Sequence, residues 1–135
     1  MTFVLDTSVT MSWCFDDEAS DDSDAILRRL TDETAIVPAL WELEVSNVLA
    51  LARRRKRLTE AQSAHFAALL GSLPIDVERQ PAPMSELIEL ATAHSLTAYD
   101  ASYLWLATRS GVAIATSDRA LNDAARRAGI ETLLA

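Results

Sequence analysis

The chain is poor in the residues that several common chemistries require. Its one cysteine, Cys14, rules out an intrachain disulfide and fits a reducing compartment, with a buried structural thiol as its simplest role. Three glycines in 135 residues leave little scope for a glycine-rich phosphate cradle. Neither G-x-x-x-x-G-K-[ST] nor G-x-G-x-x-G occurs, so P-loop nucleotide hydrolysis and dinucleotide-dependent redox chemistry fit poorly. His65 and His94 are the only histidines. With no cysteine pair beside them, zinc has almost no support. No apolar run approaches the length of a membrane span. The start, MTFVLDTSV, lacks the basic segment of a signal peptide, so the cytoplasm is the expected location and no membrane the expected partner.

Half of the residues are hydrophobic, enough for one domain over residues 1–135 with a sizeable core. The formal charge of −8 argues against holding nucleic acid by bulk electrostatics. The charge is unevenly placed, however. Asp16, Asp17, Glu18, Asp21, Asp22 and Asp24 lie near the start, whereas Arg53, Arg54, Arg55, Lys56 and Arg57 form a basic run. Carboxylates that hold cations also overstate the working charge.

Short apolar segments alternate with helical patterns. Thr2–Leu5, Ala35–Val37, Ile75–Val77 and Val112–Ala115 read as strands, and Ile130–Leu134 as a candidate last edge strand. Thr7 and Ser8 can cap a short helix, and the acidic stretch leads into a second one ending near Arg28 and Arg29. A helix from Ala39 to about Arg55 follows Pro38. Thr59-Glu60-Ala61-Gln62 is a capping box for the next, with Gly71 as its stop. Ser85 can cap a further helix. Another begins near Asp100 and ends at Gly111, and the last runs to Gly129. Strands alternating with helices predict an α/β fold with a mostly parallel sheet.

In such a sheet the reactive crevice lies beyond the carboxyl ends of the strands. Four acids are candidates for it: Asp6 leaving the first strand, Asp118 leaving the Val112–Ala115 strand, Glu44 two turns into the helix after Pro38, and Asp100 opening a later helix. Asp6, Asp100 and Asp118 could each be a helix cap instead. Glu44 sits between Leu43 and Val45, where an unpaired buried carboxylate is costly. Glu42 lies about 200° round the helix from it, and the flanking pattern does not choose between the two. Clustered carboxylates repel unless cations lie between them, and such oxygen-rich sites suit Mg²⁺ or Mn²⁺. Two such ions support in-line phosphodiester hydrolysis.

Four segments, FVLDTSV, VPALWELEVSNVL, LTAYDASYLWLA and AIATSDRAL, resemble in that order the signature blocks of the PIN-domain nucleases. Size and flanking sequence are most similar to the VapC toxins of type II toxin–antitoxin pairs. The resemblance implies a PIN-like three-layer α/β fold, its mostly parallel central sheet flanked by helices, and a Mg²⁺-dependent endoribonuclease (Mn²⁺ being the alternative ion) that cleaves RNA by a metal-activated water. It places the metal-binding acids on Asp6, Glu44, Asp100 and Asp118, with Asn47 as the matching asparagine and Glu42 as a rim acid. Thr7 and Thr116 or Ser117 become supporting hydroxyls. It also implies a homodimer and a cognate VapB-like antitoxin.

Within that reading, Arg119 and the run Arg53–Arg57 are candidates for phosphate contacts. The run can equally be a solvated helix end, as can Arg126 and Arg127. Trp13, Trp41 and Trp105 could stack on bases, but their apolar setting favours packing. Two other functions compete. A phospho-acceptor signalling domain would want an acid pair beside Asp6 and a lysine after a late strand, yet Lys56 is the only lysine. A non-catalytic scaffold could use the acidic segment Asp16–Asp24 to bind a basic protein.

Overall fold

A computed structural model describes residues 1–134. In chain order it contains β1 (Thr2–Leu5), α1 (Thr7–Cys14), a single 3-10 turn (Asp16–Glu18), α2 (Asp21–Arg29), β2 (Thr34–Pro38), α3 (Leu40–Arg54) and α4 (Glu60–Ser72). Then come β3 (Ile75–Glu78), α5 (Met84–His94), α6 (Ala98–Ser110), β4 (Ala113–Ala115) and α7 (Arg119–Arg127). The strands form one parallel sheet in the order β3-β2-β1-β4. The expected α/β architecture, a parallel sheet flanked by helices, is the one observed.

The order of the strands locates the crevice. From β1 the chain steps outward through β2 to β3, and then returns to place β4 on the other side of β1. Connections therefore diverge between β1 and β4, which is where an open parallel sheet leaves a cleft at its carboxyl edge. Register pairs Phe3 with Ala113 and Leu5 with Ala115, so both strands end at the same height. Asp6 and Thr116 are the next residues out.

Strands covered on both faces read as continuous apolar runs. Phe3, Val4 and Leu5 are all buried, as are Ile114 and Ala115. Helix α6 lies against β1, β2 and β4 and also touches α5 and α7. It buries Ala101, Tyr103, Leu104 and Ala107 completely. Helix α3 packs on β2, α1 and α4 through Trp41, Val45, Leu49 and Ala52.

Several ends differ from the sequence expectation. Thr7 and Ser8 lie inside α1, and Asp6 takes the position before it without bonding its carboxylate to a helix amide. Ser85 likewise lies inside α5, behind Pro83. Gly71 does not stop α4, which continues to Ser72. Termination there follows from Pro74, which forces Leu73 out of helical geometry into an extended conformation. Helix α6 begins at Ala98, with the Thr97 hydroxyl accepting the Asp100 amide, so Asp100 sits in its first turn and is not its cap. The segment expected as an edge strand makes only a single parallel bridge, Ile114 to Thr132. Gly111 does end α6, in the left-handed conformation at φ 65° that glycine adopts without strain.

Candidate active site

The exit of β1 delivers Asp6 to the bottom of the crevice, where it is only 5% exposed. Two hydroxyls converge on its Oδ2: Ser8 donates at 2.6 Å and Thr116 at 2.8 Å. Among the described residues, Oδ1 accepts no hydrogen bond. Burial raises the carboxyl's pKa, outweighing the lowering effect of the two hydroxyls, and Glu44 adds to the rise. The β4 exit is tied to the β1 exit by the same groups. The Thr116 hydroxyl accepts the Asp118 amide at 3.0 Å, and the Ser8 hydroxyl accepts the Ser117 amide at 2.9 Å.

Asp118 is both a cap and a member of the cluster. Its Oδ1 accepts the amides of Ala120 and Leu121 at the start of α7, at 2.9 and 3.4 Å, which holds the carboxylate in one orientation. The same carboxylate lies against Asp100. The sequence alternative of cap or site acid is therefore no alternative at this position, because a carboxylate has two oxygens and can use them separately.

Asp100 senses all the others. Its carboxyl is pushed up to about 6, first by burial and then by Asp118, Asp6 and Glu44. Like charges in one partly desolvated space disfavour each other's ionisation. The four acids chosen from the sequence thus share one field at the carboxyl edge of β1 and β4.

Glu44 reaches this field from α3, and the structure separates it from Glu42. Glu42 turns outward to Arg79, which donates to its two oxygens at 2.8 and 3.3 Å. That hydrogen-bonded ion pair holds its carboxyl below the usual range. Glu44 turns inward, where its Oε1 accepts Tyr103 at 2.5 Å and Thr7 at 3.0 Å. Thr7 and Tyr103 also lie within 2.7 Å of each other. Three oxygens from α1, α3 and α6 thereby lock into a triangle, and burial, with Glu44's carboxylate next, drives the Tyr103 hydroxyl far above its usual range. The phenol is a permanent donor at any ordinary pH.

Sequence reasoning missed Ser8 and Tyr103. Tyr103 had a legible signal: it follows Asp100 by three residues on one helix, hence on the same side, and a buried phenol needs a partner. Ser8 offered none, since a serine after a strand exit is usually a cap. Of the supporting residues, Thr7 and Thr116 bond the acids directly. Ser117 contributes its backbone amide, while its exposed side chain makes no hydrogen bond among the described residues. Asn47 is exposed and borders a shelf formed with Leu40, Leu43, Glu44 and Tyr99. Arg119 is exposed at the start of α7, beside Asp118.

The basic run partly turns back on the protein's own acids. Arg57 reaches Asp17 at 2.7 Å and Glu18 at 3.8 Å and lies over the Phe15 ring, and Arg53 approaches Glu60 at 3.8 Å. The tryptophans are anchored within the fold. Trp41 donates to Thr10 at 3.0 Å, Trp13 to the Ser23 carbonyl at 2.8 Å, and Trp105 to Glu86 at 3.1 Å. Cys14 is buried and its thiol is pushed up to about 11, which makes it a poor nucleophile.

The donor set is all oxygen, which suits a hard divalent cation. Among the described residues no three acidic, histidine or cysteine side chains close into a ready-made cage. The free Asp6 Oδ1 and the elevated Asp100 are what such an ion would engage and relieve.

Known proteins resemble this chain in sequence or in fold. Exonuclease VapC9 from Pyrobaculum aerophilum is 36% identical over 75 residues, covering 55% of this chain and 54% of that protein. The match thus spans about half the length of that curated relative. A crystal structure from the same organism superposes with a TM-score of 0.71 at 24% identity, over 98% of this chain and 92% of that one. VapBC2 from Rickettsia felis, bound to a DNA fragment from its promoter, gives 0.72 at 12% identity over 98% and 97%. FitAcB from Neisseria gonorrhoeae gives 0.66 at 19% over 98% and 96%. These three establish likeness of fold. The PIN domain family model matches residues 3–127, a span that contains Asp6, Glu44, Asp100 and Asp118, and the protein belongs to the PIN-domain family.

Proposed function

We propose that this protein is a metal-dependent ribonuclease and the toxin of a type II toxin–antitoxin pair, with Asp6, Glu44, Asp100 and Asp118 as its metal-holding residues. The observation that carries the proposal is the convergence of those acids at one sheet edge, where burial first and then Asp118, Asp6 and Glu44 push Asp100 up to about 6. A structural cluster would gain stability by exchanging one of them for a neutral residue. Keeping all four is costly unless a cation is the intended partner.

Divalent ions bound there would supply Lewis acidity at a phosphoryl oxygen and lower the pKa of water, with Mg²⁺ the proposed ion and Mn²⁺ the alternative. The chain's own residues hold the donors ready. Ser8 and Thr116 fix the Asp6 carboxylate through Oδ2 and leave Oδ1 open. Tyr103 and Thr7 fix Glu44 through Oε1, and the α7 amides fix Asp118 through Oδ1. Each acid is thus oriented before substrate arrives, the condition on which preorganised sites depend.

A VapB-like antitoxin, an RNA substrate, a homodimer and a cytoplasmic location complete the proposal. They rest on the family resemblance and on relatives whose names carry VapB or VapC. Among the described residues no helix is long and apolar enough to cross a membrane.

The test is cleavage of total RNA by purified wild type, Asp6→Asn and Asp100→Asn, in Mg²⁺, Mn²⁺ and EDTA, with the new ends mapped by sequencing. Cleavage by wild type alone, dependent on metal, is the expected result. Equal cleavage by both variants sinks the assignment. Because the curated relative is named an exonuclease, a circular RNA should be included: its cleavage marks an endonuclease.

A further inference from the structure

A polar hollow of about 500 Å³ opens beside the carboxylate cluster, within the size range of ligand pockets, roughly 300–1,000 Å³. One helix face builds its wall. Arg119, Asn122 and Arg126 of α7 line it at spacings of three and four residues, the condition for sharing a side of a helix. The opposite side of α7, Leu121, Ala124 and Ala125, is buried in the core. Asp118, itself one of the cluster's acids, lines it too, as do Ser117 and Ser20.

Two features mark this hollow as built for a ligand. Asp22 and Asp123 also lie on its wall, yet among the described residues neither Arg119 nor Arg126 forms an ion pair with any carboxylate. Arg126 donates only through Nε, to the Thr132 hydroxyl at a long 3.4 Å, which leaves its two terminal nitrogens open. Four other arginines, Arg29, Arg53, Arg57 and Arg79, do reach an acid. In addition, the carboxamide oxygen of Asn122 is buried with no hydrogen-bond partner. A buried acceptor left open is unusual and calls for a partner that the chain itself does not supply.

We infer that this hollow is a substrate subsite that holds the backbone phosphate of the nucleotide next to the scissile bond, through Arg119 and Arg126, with Asn122 accepting from its base or ribose. The inference rests on the nuclease reading and adds to it a side of the cluster, the α7 side, along which the strand runs. Two guanidinium groups without acidic partners match phosphate oxygens. Arg119 lies beside Asp118 in the chain, and Arg126 follows about two helical turns further along α7.

The sequence alone treated Arg126 and its neighbour Arg127 alike. The structure separates them: Arg126 lines the hollow and Arg127, equally exposed, does not. That difference makes the test. Arg119→Gln, Arg126→Gln and Arg127→Gln are compared with wild type for KM and kcat on a short labelled single-stranded RNA, for the salt dependence of its binding, and for Mn²⁺ affinity by calorimetry. Removing one charge-assisted hydrogen bond is expected to raise KM about tenfold in the first two variants. The slope of log affinity against log salt should fall by about 0.7 for each phosphate that the variant no longer neutralises. Arg127→Gln should match wild type, and Mn²⁺ affinity should be unchanged in all three. Equal effects of Arg126→Gln and Arg127→Gln, or none from either, would overturn the subsite while leaving a metal-dependent nuclease standing. Wild type that binds RNA in an Arg126-dependent way but never cleaves it would support the hollow and remove the nuclease reading.

Discussion

Replacing Asp100 with asparagine should stabilise the metal-free protein, even though it is expected to abolish activity. The folded carboxyl is held at about 6 against an ordinary 3.8, so between those pH values the folded state binds a proton more readily than the unfolded chain. Stability contributed by this group is therefore present below about pH 4 and declines as pH rises through about 6. At ~1.36 kcal/mol per pH unit the gap corresponds to a ceiling of ~3 kcal/mol. Asp100 is only partly buried, and solvent screening reduces the figure to about 1–2 kcal/mol. In a domain of this size that is about 4–8 °C in Tm. The assay is a series of thermal melts of wild type and Asp100→Asn in EDTA at low salt, from about pH 4 to about pH 8. The variant should melt higher at about pH 7.5, converge with wild type near about pH 4, and lose part of its advantage in high salt. Adding Mn²⁺ should raise the wild-type Tm by mass action and the variant's by less. A variant that melts at or below wild type at about pH 7.5 in EDTA would refute the reasoning, since it would mean that burial and the neighbouring acids together do not disfavour the Asp100 charge.

Further outcomes follow from the same geometry. Tyr103→Phe removes a buried hydroxyl that donates to a carboxylate, so it should cost about 1–3 kcal/mol in chemical denaturation and weaken Mn²⁺ binding measured by calorimetry. Unaltered metal affinity would show that Glu44 does not need the phenol. Glu44→Gln should abolish cleavage, whereas Glu42→Gln, which breaks only an exposed pair with Arg79, should leave kcat unchanged and shift stability by less than about 1 kcal/mol. Gly111→Ala places a side chain at φ +65° in open space, so its cost is backbone strain alone, about 1 kcal/mol by urea titration; a cost near zero would contradict the left-handed cap.

The chain alone specified a great deal. Alternation of short apolar runs with helical periodicity was enough for the sheet, because a strand covered on both faces must be apolar throughout. The same rule placed Asp6 and Asp118 at strand exits. The capping box at Thr59 and the glycine at the end of α6 were legible because they depend on neighbours within a few residues. Failures fell where a distant group decided the outcome. Thr7 and Ser8 looked like caps, and their hydroxyls went to carboxylates instead: Thr7 to Glu44, 37 positions away, and Ser8 to Asp6.

Helical geometry could not choose between Glu42 and Glu44, since both faces of α3 carry an acid. Packing chose, by bringing Arg79 to one side and Tyr103 to the other. Nor could charge counting tell Arg126 from Arg127. What the sequence determined was local: which segments could be buried, and which acids left the strands. Tertiary structure decided which of those groups meet, because hydrogen bonds and repulsion act over a few ångströms in space, and chain separations of 59 residues for Tyr103 and Glu44 or 110 for Thr116 and Asp6 leave no periodic trace.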